Sequence, residues 1–166
     1  MIRLAVPEDA EAMLVIQQEV LKEEIYFVSS IEEFRQTVEG QRAWIQAKQD
    51  HPSEVLFVAE EVGEVVGWLV FQVDDRMKTR HTGKFGVMIK PEARGKGYGK
   101  QLVQELINWA SAHPEIEKIS LFTFASNTRA IELYKKLGFV EEGRKLKEYK
   151  LADGTYMDDV LMARFV

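Results

Sequence analysis

Apolar residues recur along the chain with two periods, and the switches between them divide it into strands and helices. Ile2 to Val6 is a short extended run stopped by Pro7, whose fixed φ and missing N–H suit a turn or a helix start. Residues 8 to 22 place Ala12, Val15, Ile16 and Glu19 or Val20 at helical spacing. Ser30, with Glu33 three residues on, forms a capping box that predicts a second helix reaching about Ala47. Val55 to Glu60 and Val65 to Val73, rich in β-branched and aromatic residues, predict two strands joined at the tip Glu61-Val62-Gly63-Glu64. Asp74 to Thr82 is charged and reads as a solvated loop. Gly83 to Ile89 predicts another strand, ending at Pro91. Leu102, Val103, Leu106, Ile107 and Ala110 mark an amphipathic helix and Ile119 to Phe124 a strand. Ala130, Ile131, Leu133, Tyr134 and Leu137 mark a last helix, closed by Gly138. The tail reads as a hairpin around Asp153-Gly154, the pair that supplies the φ > 0 residues of a type I′ turn, between strands holding Tyr149, Leu151, Tyr156 and Val160.

The order is strand, two helices, three strands, helix, strand, helix, two strands. This predicts a mixed α/β or α+β sheet rather than a strictly alternating one, with a parallel pair flanking the central helix. No repeat, low-complexity tract or linker interrupts the pattern, and 166 residues fit a single domain spanning 1–166. Between the first two helices, Glu23-Glu24-Ile25-Tyr26-Phe27-Val28 is apolar and aromatic for a loop, so it either packs into the core or lines a pocket.

Composition narrows the function classes. At 46% hydrophobic and 30% charged, the chain resembles neither a disordered tail nor a membrane protein. Its 22 Lys and Arg against 27 Asp and Glu give a net charge of −5, which repels a phosphate polymer and predicts no nucleic-acid partner. With no cysteine there is no disulfide, thiolate metal site or cysteine nucleophile. The N-terminus lacks a basic region followed by an apolar run, and no stretch approaches the roughly 20 apolar residues of a spanning helix. The expected location is the cytoplasm, without a membrane partner.

The strongest chemical signal is Arg94-Gly95-Lys96-Gly97-Tyr98-Gly99-Lys100, between a predicted strand and a predicted helix. Glycines admit a ligand close to the backbone, and the free N–H groups of a first helical turn bind phosphate or pyrophosphate. A Walker A loop would need Ser or Thr where Gln101 stands, and four residues between its glycines. A dinucleotide fingerprint would need glycine at Lys100 or Leu102. Nucleotide hydrolysis and hydride transfer are both disfavoured.

What remains is Arg-x-x-Gly-x-Gly, from Arg94 through Gly97 to Gly99. Together with Phe124-Ala125-Ser126-Asn127-Thr128-Arg129-Ala130-Ile131-Glu132-Leu133-Tyr134-Lys135-Lys136-Leu137-Gly138-Phe139, it resembles the GNAT superfamily of acyl-CoA-dependent N-acetyltransferases. The resemblance covers nearly the whole chain and is weakest near 23 to 30 and 149 to 160. It implies a largely antiparallel twisted sheet of about seven strands with a central splayed parallel pair, and about four helices. It also implies acetyl-CoA as co-substrate, with no metal. The backbone of Val87, Met88 and Ile89 would pair with the pantetheine arm in the gap between the splayed strands. Arg94 and the main chain from Gly95 through Lys96, Gly97, Tyr98 and Gly99 to Lys100 would hold the pyrophosphate. Asn127 would touch the coenzyme arm, and Tyr134 would protonate the departing thiolate.

Spacing agrees: seven residues at 100° fall about 20° short of two turns, so Asn127 and Tyr134 share a helix face roughly 10 Å apart. Each also has a structural role on local grounds, Asn127 as a helix N-cap and Tyr134 as a core aromatic. No base can be assigned. Where relatives carry a glutamate, this chain holds Lys84 and Phe122, which leaves His81, Glu23, Glu24 or solvent as proton acceptors; His51 and His113 precede prolines in loops.

The implied reaction is direct transfer to a primary amine, with a strand-four N–H near Met88 on the oxyanion. Glu23, Glu24, Asp153, Asp158 and Asp159 near the acceptor segments suit a cationic small amine such as a polyamine, amino acid or aminoglycoside-like compound. The alternatives are acetylation of a protein N-terminus or lysine, as in ribosomal-protein acetyltransferases, and a non-catalytic acyl-CoA sensor. A homodimer is common in the resembling family.

Overall fold

The computed structural model describes residues 1–166. Seven strands form one sheet in the order β1-β2-β3-β4-β5-β7-β6: β1 (Ile2–Leu4), β2 (Val55–Glu61), β3 (Glu64–Val73), β4 (Thr82–Ile89), β5 (Lys118–Phe124), β6 (Val140–Lys150) and β7 (Tyr156–Phe165). Every neighbouring pair is antiparallel except β4 and β5, which run parallel because a helix crosses between them. Four helices cover the sheet: α1 (Ala10–Lys22), α2 (Val38–Asp50), α3 (Tyr98–Ala112) and α4 (Thr128–Lys136). No helix is long and apolar enough to cross a membrane.

The period-two pattern of the strands sorts the core onto two faces. Val55, Phe57, Leu69, Phe71, Phe85, Ile119, Leu121, Val160 and Met162 point to one face and pack with Leu102, Val103 and Leu106 of α3 and Ile131 and Tyr134 of α4. Leu56, Val58, Trp68 and Val70 point to the other and pack with Met13, Ile16 and Val20 of α1 and Ile45 of α2. Each such side chain, fully buried, contributes about 1.5–3 kcal/mol. Arg3 ties the edge strand down: it grips buried Asp9 with both nitrogens at 2.8 Å and Glu60 on β2 at 2.8 Å.

Two local expectations change. The Ser30–Glu33 box forms, with the Ser30 N–H donating to Glu33 at 2.9 Å, but it caps one 3-10 turn, Ile31–Glu33. Phe34 is extended, and α2 starts only after Thr37, whose hydroxyl accepts from the Gly40 N–H at 3.1 Å. The tail hairpin does not close on a two-residue turn. Its loop spans residues 151–155, because Asp153 accepts from the Thr155 N–H and hydroxyl and Leu151 N–H donates to the Thr155 carbonyl.

Candidate active site

β4 and β5 are joined only at their beginnings, where Thr82, Gly83 and Lys84 stand opposite Lys118, Ile119 and Ser120. Beyond that, β4 stays with β3 as far as the Ile89–Gly67 pair, and β5 stays with β7 as far as Phe124–Asp159. The two strands therefore part as a V. Gly67 holds the β4 arm close, since a Cβ there would come within 2.5 Å of Ile89 Cδ1 and 2.9 Å of the Met88 carbonyl oxygen.

Register decides which backbone groups face the gap. The Lys90 N–H donates to the Val66 carbonyl at 2.9 Å, and bonded pairs alternate along an antiparallel ladder. Gly86 and Met88 thus bond to β3, whereas Val87 and Ile89 turn their N–H groups toward the V. Met88, grouped with them by sequence, spends its backbone on Trp68, and its side chain packs toward the α1 face. The Ile89 carbonyl accepts from Arg94 Nε at 3.2 Å.

A cavity of about 580 Å³ occupies the V. Its walls bring together Val87, Met88, Ile89, Arg94, Gly95, Gly97, Tyr98, Gly99, Lys100, Asn127 and Tyr134, so the segments singled out in the sequence meet at one place. Lys96 does not line it; its ammonium bonds to Glu61 at 2.9 Å. Ile25, Tyr26 and Phe27 close the α1 side, which decides the ambiguous loop in favour of a pocket wall, with Phe27 also packing against the core.

The cavity mouth is the start of α3. Gly95 and Gly97 have φ of 85° and 93°, conformations that side chains other than glycine rarely adopt, and the turn they make aims the backbone of 97–100 at the opening. The first intrahelical bond is Gln101 N–H to the Gly97 carbonyl, so the amides of Tyr98, Gly99 and Lys100 are unspent. Free amides at a helix N-terminus, with the helix dipole behind them, are suited chemically to hold an anion. Lys100 and Arg129 line the same opening and make no ion pair, giving an acidic chain a locally cationic entrance.

Tyr134 lies at the inner end. It is 7% exposed, its ring edge-on to Phe85 at 5.6 Å and to Phe139 at 5.9 Å, and its hydroxyl has no hydrogen-bond partner within the chain. Burial pushes its phenol well above the ordinary value, so the group stays protonated throughout the neutral range. Asn127 is at once the N-cap of α4, accepting from the Ala130 N–H at 3.4 Å, and a cavity wall.

A sequence profile of the acetyltransferase (GNAT) family matches residues 19–139, which holds the V, the glycine loop and α4. The chain belongs to this family. It is 34% identical over 121 residues to the L-amino acid N-acetyltransferase AaaT of Escherichia coli, covering 73% of this chain and 74% of that protein. It is 30% identical over 106 residues to a spermidine N(1)-acetyltransferase of Vibrio cholerae, covering 64% and 60%. Among solved structures, a GNAT-family acetyltransferase of Streptococcus pneumoniae superposes with a TM-score of 0.95 at 25% identity, over 100% of this chain and 99% of that one.

Within this GNAT site, the carboxylates and histidines named as proton acceptors are elsewhere or engaged. His81 precedes β4 at its far end, about 20 Å of strand away from Val87 at ~3.3 Å per residue, and its carbonyl accepts from the amides of Glu117 and Lys118. Glu23 is held by Arg94 in a two-armed pair at 2.9 and 2.5 Å. Glu24 is exposed and outside the cavity. His51 and His113 accept from the amides of Ser53 and Glu115 and organise turns. No group of three or more His, Cys, Asp or Glu residues is arranged to hold a metal ion. Sequence reasoning missed Arg129 and the Glu23–Arg94 pair, because both depend on contacts between segments more than 30 residues apart in the chain.

Proposed function

We propose that the protein is an acetyl-CoA-dependent N-acetyltransferase acting in the cytoplasm on a primary amine of a small molecule, with residues 1–166 as one catalytic domain. The observation that carries the reading is the V between β4 and β5, with unspent amides of Val87 and Ile89 facing it, Tyr134 at its inner end and the α3 N-terminus at its mouth. The relatives named for amino-acid and spermidine acetylation support a small amine as acceptor.

The pyrophosphate of the coenzyme lies on the amides of residues 97–100, and the pantetheine arm extends beside β4 like an added strand, bonding Val87 and Ile89 and passing Asn127. The acceptor must first lose a proton, since only a neutral nitrogen has a free electron pair. That nitrogen attacks the thioester carbonyl, and the resulting oxyanion is met by a gap-facing β4 amide. The C–S bond then breaks, the sulfur takes the Tyr134 proton, and the nitrogen's second proton restores the phenol directly or through solvent. The balance is one amide, one thiol and, from an ammonium substrate, one proton released. Desolvation raises the phenol's pKa, which keeps the proton on Tyr134 until the C–S bond breaks.

A second reading, acetylation of a peptide or protein amine, is favoured by the exposed Ile25 and Tyr26 at the rim, an apolar edge on which a chain could lie. The experiment is a thiol-release assay with acetyl-CoA against amino acids, polyamines, aminoglycosides and N-terminal peptides, alongside calorimetric titration of acetyl-CoA and sedimentation to test for a homodimer. Turnover on a small amine supports the first reading. Turnover on peptides alone replaces it with the second, and binding without turnover on any amine leaves a sensor.

A further inference from the structure

On the face that carries α1 and α2, the apolar packing ends at β4 with Met88. Beyond it lies a second cavity, of about 240 Å³, on the open face of β5, β7 and β6. At ~30 Å³ per water this holds a small molecule and not a folded chain. Its place relative to the V is defined by register. Lys84 and Ser120, which line it, are the last registered pair before β4 and β5 separate. Asp159, which also lines it, stands opposite Phe124, the last residue of β5. The cavity therefore runs beside the gap on one face of the sheet, while Tyr134 reaches the gap from the other.

Its charges are unusual. Asp159 is 2% exposed, and its Oδ1 is buried with no donor. A carboxylate kept this way is costly unless something outside the chain completes it. Within the chain only the neutral Tyr149 hydroxyl and the more distant Lys145 pull on it, and the charged neighbours are paired with others: Lys145 with Glu148 at 3.0 Å and Glu142 with Lys118 at 2.5 Å. Lys84 is exposed and forms no ion pair. A buried carboxyl without an ion pair and a lysine without one thus stand at opposite ends, with the half-exposed ring of Phe122 and Leu161 between them. Their backbones are roughly 16 Å apart, from four residues at ~3.3 Å along β5 and two strand spacings of ~4.8 Å. The long lysine stem and the short aspartate reduce that to the span of one small molecule. The wall over Asp159 is Tyr149, on β6 where the register slips between Lys145 and Tyr149 and Lys147 takes φ 53°.

We propose that this cavity is the acceptor site and that it selects a zwitterion of amino-acid type, its ammonium group against Asp159 and its carboxylate against Lys84. The proposal rests on the N-acetyltransferase reading and adds that a carboxylate on the acceptor is recognised. A polyamine offers Lys84 nothing but a like charge.

The test uses L-leucine and L-phenylalanine, each beside its decarboxylated amine, titrated by calorimetry into the CoA-saturated protein and assayed by thiol release. At least one amino acid binds, and its decarboxylated partner binds about tenfold more weakly or worse. Lys84→Met brings the amino acid down to the level of the amine and leaves the amine unchanged. Asp159→Asn weakens both about tenfold, while the Kd for acetyl-CoA stays constant in both variants. Equal binding of acid and amine, an equal effect of Lys84→Met on the two, or full binding to Asp159→Asn overturns the proposal. Transfer to spermidine or a peptide without amino-acid binding overturns this site and spares the N-acetyltransferase reading. Amino-acid binding that obeys both substitutions, without transfer to any amine, does the reverse. Should Asp159→Asn fail to fold, Lys84→Met decides alone, because Lys84 is an exposed side chain without an ion pair.

Discussion

Replacing Tyr134 by Phe separates its packing role from its proposed role as acid. The ring packs edge-on against Phe85 and Phe139, and Phe keeps those contacts. The hydroxyl makes no hydrogen bond within the chain, so its removal leaves no partner unsatisfied and the change in stability stays within about 1 kcal/mol of zero. If the phenol delivers the proton to the departing sulfur, kcat falls by roughly a hundredfold, the low end of what a positioned acid supplies. That factor is about 2.7 kcal/mol of transition-state stabilisation. The Kd for acetyl-CoA moves by less than about threefold, because the proposed pyrophosphate and pantetheine contacts lie elsewhere in the cavity. Tyr134→Ala would be uninformative, since emptying a buried aromatic site costs about 3–5 kcal/mol of folding free energy. The assay is single-turnover thiol release at saturating acetyl-CoA, with thermal unfolding and calorimetric binding measured on the same preparation. In the parent enzyme the raised phenol pKa means that no loss of rate from Tyr134 ionisation is expected below its ordinary value near 10. A folded Phe variant that binds acetyl-CoA normally and releases thiol at the parent rate when chemistry limits turnover would refute the acid role and leave protonation to water.

Gly99 has an ordinary helical φ, and a Cβ there would stand 3.8 Å from Ile89 Cγ1, so Gly99→Ala should stabilise the free protein by up to ~1 kcal/mol. It should still weaken acetyl-CoA binding tenfold or more by calorimetry, whereas Lys96→Ala, which loses only the Glu61 pair, changes it less than about threefold. Asp159 is held above its ordinary pKa chiefly by burial, against the pull of Tyr149 and Lys145 and with the help of Glu148. Its ionisation therefore penalises the fold above its raised pKa, and Asp159→Asn should gain stability at pH 7, a gain that disappears near pH 4 in unfolding curves. For Asp9, burial alone would raise the pKa, but Arg3 and the Val6 N–H outweigh it and lower it below 3.8. Asp9→Asn should cost about 2 kcal/mol at neutral pH, and the difference from the parent should be lost as pH falls through that depressed value. The rising limb of kcat/KM with pH should track the pKa of the acceptor amine across a substrate series. A limb fixed near pH 6–7 would instead require a group of the protein.

The order of strands and helices, the two-faced core and most of the residues that line the V were legible in the sequence, because each depends on local information. Period two and period 3.6 report which side chains are buried, Gly138 at φ 84° reports a helix end, and glycines before an amphipathic helix report an open N-terminus. The start of α2 was misread for the same local reason: Ser30-x-x-Glu33 is a genuine capping box, and only packing determines that the turn it starts is not continued. Which β4 amides face the V, and that Met88 is not among them, follows from the Lys90–Val66 bond, a pairing parity that no residue type announces. Of the proposed acceptor side, the sequence offered Asp159 only as one of five acidic residues near the acceptor segments, and Lys84 only as the residue standing where relatives carry a glutamate. Asp159 and Lys84 are charged residues in alternating strands, the pattern of ordinary solvent-facing positions, and Glu23 looks like a free base until Arg94 is brought against it from 71 residues away. Tertiary structure alone decides which charges lose their water and their partners, because desolvation depends on what the fold stacks above a side chain and not on its neighbours in the chain.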